Sequence, residues 1–242
     1  MSLSCSKIEW TEATWNPVTG CTKISEGCRY CYAESIALRL KAMNKTRYLN
    51  GFDVTLHYDL LGEPLKWHRP KMIFVNSMSD LFHEKVPVDF IKKVFEVITI
   101  ANQHNFQILT KRSERLLELA PLLKWPANLW MGVTVEMEEF VYRISHLIQT
   151  PARLKFISFE PLLGSIKKLN LEGINWIIVG GESGPKSRIM RKEWVIDIRD
   201  YALKNEIPFF FKQWGGKNKK KAGRKLDGKT WSQTPQFRAS LF

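Results

Sequence analysis

From Lys71 onward the chain repeats one device: a short β-branched or aromatic run ends in small and polar residues, and an amphipathic stretch follows. The runs are MIFVNSMSD (72–80), FQILTKR (106–112), LWMGVTVE (129–136), LKFISFEP (154–161), WIIVGGESG (176–184) and PFFFKQWGG (208–216). Between them, VDFIKKVFEVITIANQ (88–103) and KEWVIDIRDYALKN (192–205) carry apolar residues at three- and four-residue spacing, the period of a helix with one buried face. The runs start 22 to 34 residues apart, the room a β-loop-α-loop unit occupies. Strands this continuously apolar suit a parallel sheet covered by helices. The rhythm predicts an α/β fold, a barrel or part of one, with about six to seven mostly parallel strands.

The 242 residues, 44% of them hydrophobic, suffice for one substantial core. We expect a single domain over 1–216, with an excursion at about 47–71 and a basic tail or strap at 217–242. No stretch approaches the roughly 20 apolar residues of a membrane span, and MSLSCSKIEWTEA lacks the apolar run of a secretory signal, so the expected setting is the cytoplasm, away from membranes. There thiols stay reduced, and clustered cysteines hold metals or do chemistry more often than they form disulfides. A formal charge of +13 biases the surface toward anionic partners without distinguishing nucleic acid from phosphorylated metabolites or simple solubility.

The first unit differs from the rest. TWNPVTG (14–20) reads as the end of an initial strand and 30–46 as the next helix, with GCTKISEGCRYCYAE (20–34) between them. That loop holds three of the four cysteines, at a strand's C-terminal end, where parallel barrels collect their chemistry. Cys21, Cys28 and Cys31 are spaced C-x6-C-x2-C. A closed zinc site takes four ligands; the next histidine, His57, lies well downstream, and Cys5 could complete such a set. A redox dithiol or incidental buried cysteines are further readings of C-x2-C. A four-iron cluster held by three thiolates would instead keep one iron open for a small ligand.

At this loop the sequence resembles the radical S-adenosylmethionine superfamily, including the aromatic Tyr30 just before the last cysteine. The set WNPVTGCTKISEGCRYCYAE, NSMSDLF, LTKR, GVTVE, FEPLLG, GGESGPKSR and FKQWGG is similar, over nearly the whole chain, to a phage and prophage protein family of unassigned reaction near spore photoproduct lyase. The resemblance implies a partial barrel, a [4Fe-4S] cluster on Cys21, Cys28 and Cys31, and S-adenosyl-L-methionine on the open iron. It further implies reductive cleavage of that cofactor to a 5′-deoxyadenosyl radical, an external electron donor and room for a protein partner. Two features depart from the superfamily pattern of C-x3-C-x2-C and an early Gly-Gly-Glu: six residues separate the first two cysteines, and NSMSD stands after the second strand.

A cofactor over the sheet must meet polar residues of the same rim. The candidates are Ser77, Ser79 and Asp80, then Thr110, Lys111 and Arg112, then Thr134, Glu136 and Glu160. Lys111 or Arg112 could pair with the methionine carboxylate, and Asp80, Glu136 or Glu160 could accept from its amino group or the ribose. Taken singly, charged strand-end residues are most often solvated or helix-capping. Gly180 and Gly181 would permit close backbone approach, with Glu182 and Ser183 facing the ligand, or else form a tight turn. Lys186, Arg188 and Arg191 form a basic edge that could hold an anionic substrate. Strand alternation puts Lys212 and Trp214 on one face, able to contact a phosphate and stack a base, or to close the barrel.

Seven Lys and Arg against Asp227 in 217–229 read as a solvated run, although GRKLDGKTW belongs to the family pattern and suggests a strap across the mouth. Cys5 could return hydrogen to a substrate radical, as a cysteine does in spore photoproduct lyase. The charge and the resemblance together point to a nucleic acid or nucleotide substrate. The different-class alternative is a nucleic-acid-binding protein with a structural zinc.

Overall fold

The computed structural model describes residues 8–167 and 169–235. Seven parallel strands, β1 (Ala13–Trp15), β4 (Met72–Val75), β5 (Asn105–Thr110), β6 (Leu129–Thr134), β7 (Leu154–Phe159), β8 (Trp176–Gly180) and β9 (Phe209–Gln213), form one sheet in that order. Spatial order following chain order means that every crossover winds the same way, so the sheet curls into a partial (β/α) barrel. Its curvature is visible at Trp10, whose indole lies 4.7 Å from the Phe74 ring on β4 and 6.3 Å from Trp176 on β8. Strands four places apart in a flat sheet could not share one side chain.

Alternation explains why the strands read as unbroken apolar runs. On the convex face Ile73, Phe106, Met131, Ile157, Ile177 and Phe209 join the main core. Over them pack α2 (Val88–Ile100), through Phe90, Val94 and Ile98, and α5 (Lys192–Lys204), through Val195, Ile198 and Ala202. Two short helices, α3 (Ser113–Leu119) and α4 (Tyr142–Ile148), complete that layer. On the concave face Phe74, Trp130, Phe156, Trp176, Ile178 and Phe210 close around Trp10 as an aromatic plug. Truncating a plug ring such as the fully buried Trp176 would cost about 3–5 kcal/mol.

Above the plug the same alternation turns polar. Phe74 is followed two residues on by Asn76, Phe156 by Ser158 and then Glu160, Ile178 by Gly180, and Phe210 by Lys212. The strands are shorter than the sequence runs suggest: 76–80 is a turn after β4, and the expected helix 30–46 is α1 (Tyr32–Ala42) between two 3-10 turns. The excursion braces the root of the cysteine loop. Its β3 (Thr55–Leu56) pairs with β2 (Val18–Thr19), Phe52 O accepts from the Cys21 amide at 3.0 Å, and His57 Nε2 meets Thr19 Oγ1 at 2.9 Å.

After a short α6 (Lys219–Ala222), a hairpin of β10 (Lys225–Leu226) and β11 (Lys229–Thr230) leads back to the free edge of β9. There Ser232 forms an antiparallel bridge to Phe210, and Trp231 O accepts from the Phe211 amide. The described part of the tail therefore covers a sheet edge that would otherwise expose unpaired backbone, and none of it borders the cavity described below. Among the described residues no helix is long and apolar enough to cross a membrane.

Candidate active site

A cavity of about 450 Å³ opens at the C-terminal ends of the strands. Cys21, Cys28 and Cys31 all border it, as do Tyr30, Ser79, Asp80, Lys111 and Thr134 from the first four strand ends. Glu160, Gly181, Glu182, Ser183 and Lys212 border it from the last three. Its floor is the top of the plug, where Trp10, Phe74 and Leu109 face the space. Cys5 lies outside the described residues.

The cysteine loop is pinned from beneath by buried charge. Asp80 accepts from Thr110 Oγ1 at 2.7 Å and from the amides of Phe82 and Lys111, and Arg112 Nη1 approaches it at 3.4 Å. The Arg112 guanidinium then reaches Cys21 Sγ at 3.4 Å, Thr22 Oγ1 at 2.9 Å and Glu84 at 3.0 Å. Burial, reinforced by Asp80 and opposed by Arg112, pushes the Cys21 thiol up to about 12, so at neutral pH it carries its proton. A metal that takes this sulfur must displace that proton, as metal binding does at any thiol ligand.

Glu136 secures the next part of the loop. Ser25 Oγ donates to its Oε1 at 2.5 Å, Arg143 Nη1 to its Oε2 at 2.7 Å, and Lys111 Nζ lies 3.4 Å from Oε1. Gly27 rests directly on this carboxylate: a Cβ there would stand 2.5 Å from Glu136 Cγ. Glu136, an expected cofactor contact, stands back from the lining. It is fully buried behind the loop and does not border the cavity. Gly180 is likewise withdrawn from the lining, and its lack of a Cβ makes room for Glu160, whose Oε1 a Cβ would approach to 2.7 Å.

Across the cavity the loop is held by Arg188. Its Nε and Nη2 grip Glu182 at 2.9 and 2.6 Å, Nη2 also donates to Glu26 O at 2.9 Å, and the guanidinium lies 5.4 Å from the centre of the Tyr30 ring. Of the expected basic edge, Arg188 is thus a strut between two loops, while Lys186 stands exposed. Ser183 accepts from Gln213 Nε2 at 2.6 Å, and Ser79 Oγ donates to Val18 O at 2.9 Å. Glu160 pairs with Lys212 Nζ at 2.8 Å and accepts from Ser158 Oγ at 3.0 Å.

Residues 5–235 match the family described as protein of unknown function (DUF5131). The chain belongs to that family. No curated protein matches it. Among solved structures it is similar to a cysteine-to-serine mutant of spore photoproduct lyase, at 13% identity and a TM-score of 0.49, over 74% of this chain and 58% of that one. It is also similar to spore photoproduct lyase complexed with dinucleoside spore photoproduct, at 13% identity and a TM-score of 0.49, over 84% of this chain and 64% of that one. The chain therefore spans about three fifths of the length of the structures it matches.

Asn76 is a lining residue that the sequence reading passes over. It sits at φ 59°, a left-handed conformation that asparagine tolerates, and its Oδ1 accepts from the Val18 amide at 3.2 Å. Its buried Nδ2 has no hydrogen-bond partner among the described residues. An asparagine immediately after an apolar strand was the available signal. Arg143 and Ser25 gave none: Ser25 acts on Glu136, 111 positions away, and Arg143 lies on a helix whose face toward Glu136 is set by packing.

Proposed function

We propose that this member of DUF5131 is an iron–sulfur enzyme of the radical S-adenosylmethionine type, acting on a nucleic acid or nucleotide. The observation that carries the reading is that three free thiols, Cys21, Cys28 and Cys31, border one cavity at the strand C-termini of a partial parallel barrel. Three thiolates on one cavity could each bind an iron of a four-iron cluster and leave the fourth iron open for a small ligand. Cys21, Cys28 and Cys31 would hold the cluster, and the rim that Ser79, Thr134 and Ser183 line beside it would receive the cofactor. Bound there, cluster and cofactor would supply a reductively generated radical able to abstract hydrogen, with electrons from an external donor.

The chain's own contribution is placement and exclusion. Asp80 and Arg112 fix Cys21, Glu136 carries the loop through Ser25, and Arg188 draws the loop toward Glu182. Trp10 and its neighbours form an apolar floor that keeps polar groups and water off that side of the cavity. A net charge of +13 supports an anionic polymer or nucleotide as substrate. The test is turnover: the reduced, anaerobically reconstituted protein mixed with S-adenosylmethionine should release 5′-deoxyadenosine and methionine slowly, and faster with substrate. Full cluster content with neither product under strong reductant would overturn the radical reading.

A further inference from the structure

The charged groups of the strand ends that border the cavity differ in what their own partners leave free. Asp80 already takes two amides, a hydroxyl and Arg112. Arg112 donates to Glu84, Cys21 and Thr22, and Glu182 is gripped by Arg188, whereas Lys111 keeps donors free but faces a carboxylate, Glu136, that is buried away from the cavity. Glu160 and Lys212 are different. The ammonium spends one of its three donors on Glu160 Oε1, and the carboxylate accepts one further bond, from Ser158. What remains is a set of N–H donors and a set of oxygen lone pairs, side by side, with their heavy atoms 2.8 Å apart and both facing the cavity.

We propose that Glu160 and Lys212 together read the hydrogen-bonding edge of an unpaired nucleobase, Lys212 donating to a ring or carbonyl acceptor and Glu160 accepting from the adjacent N–H. This rests on the nucleic acid or nucleotide reading given above and names the part of that substrate which the cavity takes. The pair is neutral overall, so it lacks the unopposed positive charge that would favour a phosphate. A group that offers an acceptor and a donor on neighbouring atoms matches both members at once, and every base carries such an edge. The edge is free only when the base is unpaired, as in a single strand, a nucleoside or an extruded residue. The floor supplies the other half of base recognition: Trp10, Phe74 and Leu109 present an apolar surface to a planar ring, and about 450 Å³ falls in the range of small-molecule sites.

Gly180 supports the assignment from the backbone side. Any side chain at this position on β8 would press on Glu160 Oε1, so the glycine leaves the carboxylate free to stand over the cavity beside Lys212. Lys212 and Glu160 arise from β9 and the end of β7, the two strands that flank Gly180 on β8.

The test titrates the full-length, anaerobically reconstituted protein with uridine and with 3-methyluridine, whose edge N–H is replaced by a methyl group, using calorimetry. Wild type should bind uridine at least about tenfold more tightly than the methylated form. Lys212→Met and Glu160→Met, each checked for native circular dichroism, should bring that ratio to within about twofold, while Glu160→Gln, which keeps an acceptor, should retain part of it. Glu160→Met should also gain affinity for uridine 5′-monophosphate, because it frees the Lys212 charge. Equal binding of the two nucleosides by wild type, or a ratio unchanged in both methionine variants, overturns the proposal. If a single-stranded oligonucleotide binds without such discrimination, only the base-edge reading falls. If neither oligonucleotide nor nucleoside binds, the nucleic acid reading falls with it.

Discussion

The two sides of the cavity rim use charge in opposite ways. At the ends of β4, β5 and β6, Asp80, Arg112 and Glu136 are buried, as is Arg143 of α4, which holds Glu136 from behind, and their hydrogen bonds run to one another, to the cysteine loop and to the backbone beneath it. At the ends of β7 and β9, Glu160 and Lys212 are partly exposed, paired mainly with each other and turned to the space. One side is scaffolding for the loop; the other is chemistry held ready for a ligand. Identical residue types thus have different roles, decided by whether a second shell of donors closes over them. A buried ion pair that loses one partner leaves a charge in a low-dielectric interior, whereas a pair that borders an open cavity loses less because water can replace the partner.

The sharpest way to break this comparison is to remove one carboxylate from each side. Glu136→Leu strands Arg143, whose side chain is 1% exposed, and should lower stability by about 3–5 kcal/mol in urea unfolding. Glu160→Leu, at the pair that borders the cavity, should cost clearly less, about 1–2 kcal/mol in the same assay. Equal losses would erase the distinction between scaffold and ligand-facing charge.

This division marks where sequence reading stops. The strand rhythm predicts the parallel α/β sheet, because 3.6- and 2-residue periods are local properties of the chain. Placing the cysteine loop at a strand's C-terminal end follows from the same rhythm, and all three cysteines do reach one cavity. The pattern could not tell Glu136 from Glu160, since both follow apolar strands by one or two residues. Their fates depend on Ser25 and Gly27 in one case and on Lys212 and Gly180 in the other, contacts between distant segments that only the folded sheet creates. The tail shows the same limit. Its charge run reads as solvated, yet Trp231 and Ser232 within the next few residues pair with the edge of β9.

A smaller effect is expected at Arg188, the strut that joins the two sides. Arg188→Gln removes charge-assisted bonds to Glu182 and Glu26, each worth about 1.5–3 kcal/mol before solvent screening of this partly exposed site. Amide hydrogen exchange in residues 21–31 should accelerate by roughly tenfold, equivalent to about 1.4 kcal/mol of local opening, while exchange in β5 and β6 stays unchanged. Acceleration spread over the whole sheet would make Arg188 a general stabiliser instead of a loop strut.

The smallest effect concerns pH. Burial first, and then Arg47 and Arg112 respectively, lowers the pKa of His57 and His83 below the ordinary 6.5, and burial also lowers that of His104. A histidine that is harder to protonate when folded leaves stability untouched above the unfolded value and takes it away as pH falls from about 6.5 toward the depressed folded value. Melting temperature should accordingly be level between pH 7 and 8 and decline below about pH 6.5. His57→Gln, at the braced root of the loop, should flatten part of that decline; an identical acid profile in this variant would assign the loss to the other two histidines.

The central claim is that the cysteine loop holds an iron–sulfur cluster, and metal content of the anaerobically reconstituted protein measures it most directly. Wild type should carry about four irons and four sulfides per chain, the content of a [4Fe-4S] cluster, and absorb broadly near ~400 nm. Cys21→Ala, Cys28→Ala and Cys31→Ala should each lose that iron, and Cys5→Ala should keep it. One zinc per chain with no iron, lost again in Cys5→Ala, would contradict the account and make the loop part of a four-cysteine structural site.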